Sequence, residues 1–186
     1  MKKILAIGSS LLLACSVMLT GCSTAPDKAY TISIDGVDII VGETKVEEFY
    51  KTDYILDAEE GQMLEKDTYY SYIHFYNEEE EDCGYISILS EEDAPLEDAI
   101  IAEIEIDSDV VDMENVAERI SIEGVKLSEL TLEKAKEMFK GANVSEDGVT
   151  SPTDKYYIGV HFNEDGSLKD FKHERKYDVD WNGDGK

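Results

Sequence analysis

The chain has 186 residues, with 43 Asp and Glu set against 17 Lys and Arg, a formal charge of −26. So acidic a surface repels phosphate backbones and anionic headgroups, which disfavours nucleic acid as a partner and adsorption to anionic lipid as a mode of attachment. It favours cationic partners, divalent cations or simple solubility.

The N-terminus opens with Met1-Lys2-Lys3 and continues through an uncharged apolar stretch from Ile4 to Leu19. That stretch is shorter than the roughly 20 residues of a spanning helix and matches the core of a signal peptide. It ends in Leu19-Thr20-Gly21-Cys22, which resembles the lipobox of bacterial lipoproteins. The resemblance implies a signal peptide over residues 1–21, diacylation of Cys22 and a lipidated tether over 22–29. Attachment would then be to the extracytoplasmic face of the cell membrane, through the lipid on Cys22. Loss of Lys2 and Lys3 leaves 15 basic against 43 acidic side chains, a formal −28. With Cys15 removed and Cys22 acylated, Cys83 stands alone and no intrachain disulfide is expected. The acidic run Glu78 to Asp82 beside it disfavours a thiolate.

From Tyr30 the pattern alternates. Tyr30, Ile32 and Ile34 predict a half-buried strand closed by a turn at Asp35-Gly36. Val46, Phe49 and Tyr50 fit a short amphipathic helix. "YYSYIHFY" (69–76) is the strongest strand signal, and the acidic loop "NEEEED" joins it to "CGYISIL". "AIIAEIEI" predicts a strand with Ile100, Ala102, Ile104 and Ile106 on one face. Further on, "RISIEGVKL" predicts a strand and turn. "LTLEKAKEMFKG" predicts a helix with Leu132, Ala135 and Phe139 on one side, capped by Thr131 and stopped at Gly141. The closing segment reads as a hairpin about Glu164-Asp165-Gly166.

"ISIDGV" (32–37) returns as "ISIEGV" (120–125), and "YSYIHF" (70–75) has a counterpart in "YIGVHF" (157–162). Two matches in one order, with a helical pattern between them, read as a tandem duplication. The expected fold class is therefore α+β, as two tandem homologous units over 30–112 and 113–180. Each is a short helix packed on a small antiparallel sheet with its own core, and 181–186 form an acidic tail. The segments "VGETKVEEF", "LSELTLEKAKEMF", "YIHFYNEE" and "GVHFNEDGSL" are similar to the helix entries and strand-turn pairs of β-lactamase-inhibitor-protein-like domains. That resemblance implies protein binding through a sheet face rather than catalysis.

Alternation sends Ile73 and Phe75 toward the helix, with Val160 and Phe162 as counterparts. It sends Tyr70, Tyr72, His74 and Tyr76 the other way, with Tyr157 and His161 as counterparts. Tyrosines with an apolar body and a polar tip suit a protein interface, so these six are the candidate partner-binding residues. Three histidines without a usable thiolate do not make a zinc set, and no metal or cofactor is expected. There is no Gly-x-Ser-x-Gly, no cysteine with a base and no glycine-rich phosphate loop. The tail "DVDWNGDGK" places Asp180, Asn182, Asp184 and Gly185 at the opening positions of a calcium loop, but the chain given stops before the acid at position 12. The expected function is a non-catalytic, membrane-anchored module that binds an envelope or secreted protein, or is inhibitor-like. The alternative is a cation-responsive, calcium-binding cell-surface protein.

Overall fold

The computed structural model describes residues 25–178. In chain order, β1 (Thr31–Ile34) and β2 (Val37–Ile40) precede a one-turn helix, α1 (Val46–Phe49). Then come β3 (Ile55–Leu56), β4 (Met63–Leu64), the long hairpin β5 (Thr68–Tyr76) and β6 (Asp82–Ser90), β7 (Ala94–Pro95) and β8 (Ile100–Asp107). The second half has α2 (Met113–Val116), β9 (Ile120–Ile122), β10 (Val125–Lys126) and α3 (Leu132–Met138). It ends with β11 (Asn143–Val144), β12 (Gly148–Pro152), β13 (Tyr156–Phe162) and β14 (Leu168–Arg175).

The local signals work as chemistry requires. Asp35-Gly36 and Glu123-Gly124 both turn with positive φ at each residue (50° and 81°, 49° and 80°), the geometry that joins two twisted strands in two residues. Thr131 caps α3 by accepting from the Lys134 N–H, Ala135 and Phe139 are buried, and Gly141 leaves the helix at φ 86°. The acidic loop is closed by Asn77. Its Oδ1 accepts from the Glu79 and Glu81 N–H groups, at 3.1 and 2.9 Å, and its Nδ2 donates to the Glu81 carboxylate.

The larger architecture corrects the expected one. The two self-contained helix-on-sheet units are not present, and the described protein is mostly β. Strands from both halves merge into a four-stranded sheet, β10-β9-β1-β2, and an eight-stranded antiparallel sheet, β11-β12-β13-β14-β8-β6-β5-β3. The helices are too short to cover a sheet alone, with four residues in α1 and seven in α3. The two sheets bury each other instead, so the expected separate cores are one: Ile32, Ile34, Ile120 and Ile122 share a single apolar cluster with Phe75, Ile86, Ile104, Phe162 and Phe171.

The repeated hexapeptides meet. β1 and β9 pair antiparallel with Ile32 opposite Ile122, Ser33 opposite Ser121 and Ile34 opposite Ile120. Positions 88 apart therefore exchange across the pair. The backbone agrees, since Asp35 N–H donates to the Arg119 carbonyl and Glu123 N–H to the Thr31 carbonyl. This two-fold relation does not extend to the larger sheet. β6 and β14 are both antiparallel to β8, which lies between them, so they run the same way. A two-fold axis normal to the sheet would have reversed one of them. Arg119 clamps the small sheet to its surroundings, with two bonds to the Asp35 carboxylate (2.6 and 2.7 Å), one to Asp53, and its guanidinium 4.5 Å from the Tyr54 ring.

Candidate functional site

One face of the eight-stranded sheet supplies the core, through Ile73, Ile86, Ile104, Phe171 and Val160. Strand register fixes what stands on the opposite, outer face. One row reads His74, Tyr85, Glu105, Lys172 and Gly159 across β5, β6, β8, β14 and β13. The next reads Ser87, Glu103, Glu174 and Tyr157.

At the centre Lys172 Nζ lies 3.1 Å from Glu103 and 3.2 Å from both Glu105 and Glu174. Glu103 is buried, and the loss of solvent raises its carboxyl above the usual range against the pull of Lys172. Burial alone would lower the Lys172 ammonium, but the three carboxylates outweigh it and hold it above its ordinary value. Tyr85 beside them is raised by burial and by its hydrogen bond to Glu105. Three acids thus share one base.

The predicted site residues fall into two patches on either side of this cluster. Tyr72, His74 and Tyr76 lie together on β5, with Tyr72 63% exposed and its ring 5.0 Å from Tyr85, and with His74 stacked on Tyr76 at 6.3 Å. Tyr157 and His161 sit on β13, four strands from β5, or about 19 Å at ordinary strand spacing. Both rings lie over glycines. A Cβ at Gly159 would stand 2.5 Å from Tyr157 Oη, and one at Gly148 would stand 2.5 Å from His161 Cδ2. Each predicted histidine is held by an aspartate through Nδ1: His74 by Asp82 at 2.7 Å and His161 by Asp170 at 2.6 Å.

Tyr70 is a correction. A bulge with Tyr72 at φ 60° shifts the register between Tyr70 and Ile73, so both of these face inward. Tyr70 packs against the core and its Oη accepts from the Glu65 N–H. Tyr69 takes the outer position in its place. A second register shift, between Ser87 and Ile88, leaves Ile101 rather than Ile100 fully buried on β8. The residues missed from the sequence (Tyr69, Tyr85, Glu103, Glu105, Lys172 and Glu174) alternate with Ile104, Phe171 and His173, and that alternation was the available signal.

The third histidine belongs to the interior. His173 is fully buried, with Nδ1 donating to the Tyr157 carbonyl at 2.8 Å and Nε2 accepting from the Tyr30 N–H at 3.0 Å. These bonds specify the neutral Nδ1–H tautomer, and burial depresses the ring to about 4. Cys83 is buried too, and its thiol is pushed up by burial to about 11. Among the described residues no group of three or more His, Cys, Asp or Glu is arranged to hold a metal ion. Cys22 and the calcium-loop residues Asp180, Asn182, Asp184 and Gly185 lie outside the described residues, and Asp178 is exposed at their margin. No helix among the described residues is long and apolar enough to cross a membrane. No protein-family model matches the chain, and no curated protein or solved structure matches it.

Proposed function

We propose that this chain is a lipid-anchored, extracytoplasmic protein-interaction module that performs no catalysis. The observation carrying the proposal is the outer face of the eight-stranded sheet. Tyr72 stands exposed there beside His74, Tyr76 and Tyr85, while the core lies wholly on the other side. Aromatic side chains with polar tips give large contact area at low entropic cost, which is why they anchor protein interfaces. The basic n-region, short apolar core and Leu19-Thr20-Gly21-Cys22 supply the anchor in this reading. Cys83 is buried and His173 is locked between two backbone groups, so neither of these two is presented to a substrate.

Two measurements test the proposal. Cys22→Ala should release the protein from membranes or leave its precursor uncut. A Tyr72→Ala/Tyr76→Ala protein should keep its melting temperature and lose partners that wild type retains in affinity capture from the native envelope. Full partner recovery by the folded variant would place docking elsewhere.

A further inference from the structure

The centre of the outer face is short of positive charge. Among the described residues Glu103, Glu105 and Glu174 converge on one cation, Lys172, each taking one of its three N–H donors at 3.1–3.2 Å, and Tyr85 donates in addition to Glu105. The shares differ in accessibility. Glu103 is closed off, with a side chain only 6% exposed, whereas Glu105 and Glu174 keep 19% and 25%. The two accessible carboxylates therefore have capacity for a second cation arriving from outside. Aromatic rings stand next to them: Tyr85 is directly opposite Glu105, Tyr72 lies 5.0 Å from Tyr85, and Tyr157 is directly opposite Glu174.

We propose that this face docks a basic protein segment, with an arginine of the partner paired to Glu105 and Glu174 and lying against the rings of Tyr85 and Tyr72. The inference rests on the docking role proposed above and adds the chemistry of the partner. Arginine fits better than lysine. Its planar fork addresses two carboxylates at once and its flat face stacks on tyrosine, while Lys172 already fills the place of a point charge. A nucleic acid or an anionic lipid would meet three carboxylates here and be repelled.

The test uses the full lipidated chain in phosphatidylcholine nanodiscs and an acetylated peptide of alternating Arg and Ala. Salt is held at about 0.15 M, where charges more than about 8 Å apart are screened and net charge alone attracts little. Amide chemical shifts should move at Tyr85, Glu105, Lys172 and Glu174. Glu105→Gln/Glu174→Gln should weaken the peptide about fivefold, and Tyr72→Ala about threefold. The charge-matched pair Glu146→Gln/Glu164→Gln, both in exposed turns, should leave affinity unchanged. If the first double variant does not fold, Tyr72→Ala alone decides.

Shifts confined to the Glu78–Glu81 loop, or equal losses for both charge-matched pairs, overturn the proposal. A photo-crosslinker at Tyr72 separates the two readings. A captured envelope protein with no peptide response removes the arginine assignment and leaves the docking role standing. Absence of both capture and response removes both.

Discussion

His173 accepts a hydrogen bond from the backbone N–H of Tyr30 at 3.0 Å, across 143 residues of sequence. The contact joins the start of the folded chain to β14 through a ring whose other nitrogen is also engaged, and it makes folding sensitive to acid. The folded ring titrates near 4, against 6.5 for an unperturbed histidine. The unfolded chain therefore takes up its proton first. Stability from this site is complete above pH 6.5 and is lost as pH falls toward 4, by up to about 3 kcal/mol. Urea unfolding at pH 7.5, 5.5 and 4.5 should show the loss in wild type. His173→Leu should lower stability at pH 7.5, because two buried backbone groups lose partners, and should flatten the dependence over this window. Equal slopes in the two proteins would remove His173 from the acid response.

The single core predicts cooperative melting. Phe75 packs against Phe49 and Tyr54 at 5.4 and 5.2 Å, and Phe162 shares its apolar cluster. Phe75→Ala and Phe162→Ala should each cost about 3–5 kcal/mol and lower one transition that reports on the whole domain. Calorimetry that resolves two transitions, with only one moved by each substitution, would restore two independent units.

The Arg119 clamp depends on shape as well as charge. Its guanidinium meets Asp35 through Nε and a terminal nitrogen and lies over Tyr54. Arg119→Lys keeps the charge but loses the fork and the stacking, and should cost about 1–2 kcal/mol in urea unfolding. An unchanged midpoint would show that a point charge suffices.

Gly84 marks a close backbone approach beneath the Tyr85 side of the site. Its φ is 136°, and a Cβ there would stand 2.7 Å from the Glu105 carbonyl oxygen and 2.8 Å from the Phe75 ring. Gly84→Ala should cost about 3 kcal/mol through strain and overpacking, well above Gly36→Ala, whose Cβ would meet nothing within 4 Å. Similar melting temperatures for the two variants would contradict this placement of β6 against β8.

What the sequence revealed was local, and what it concealed was pairing. Strict alternation in "ISI" and "EIEI" identifies strands because one face must be apolar, and Asp35-Gly36 and Thr131 announce a turn and a cap by their own chemistry. Which strand lies beside which is set by distant segments. The repeat at Ile32 and Ile120 suggested two separate units, yet those segments pair with each other and close one core. Parity fails at bulges. Tyr70 belongs to the outer face by counting, but Ser71 and Tyr72 together stand opposite the single Ser87, and that one extra residue turns Tyr70 inward and brings Tyr69 out. His74 and His161 were placed on the correct face because no bulge lies between each of them and its neighbouring apolar residue, Ile73 and Val160.

The docking role of the outer sheet face is tested most directly by site-specific photo-crosslinking in the native envelope. A photoreactive residue would replace Tyr72 on the outer face or, as a control, Val144 on the exposed edge strand β11; both positions are more than half exposed. Capture of one discrete envelope or secreted protein from position 72, absent from position 144 and reduced by Glu105→Gln/Glu174→Gln, is the result predicted here. Capture from position 144 alone, or the same proteins from both positions, would contradict it.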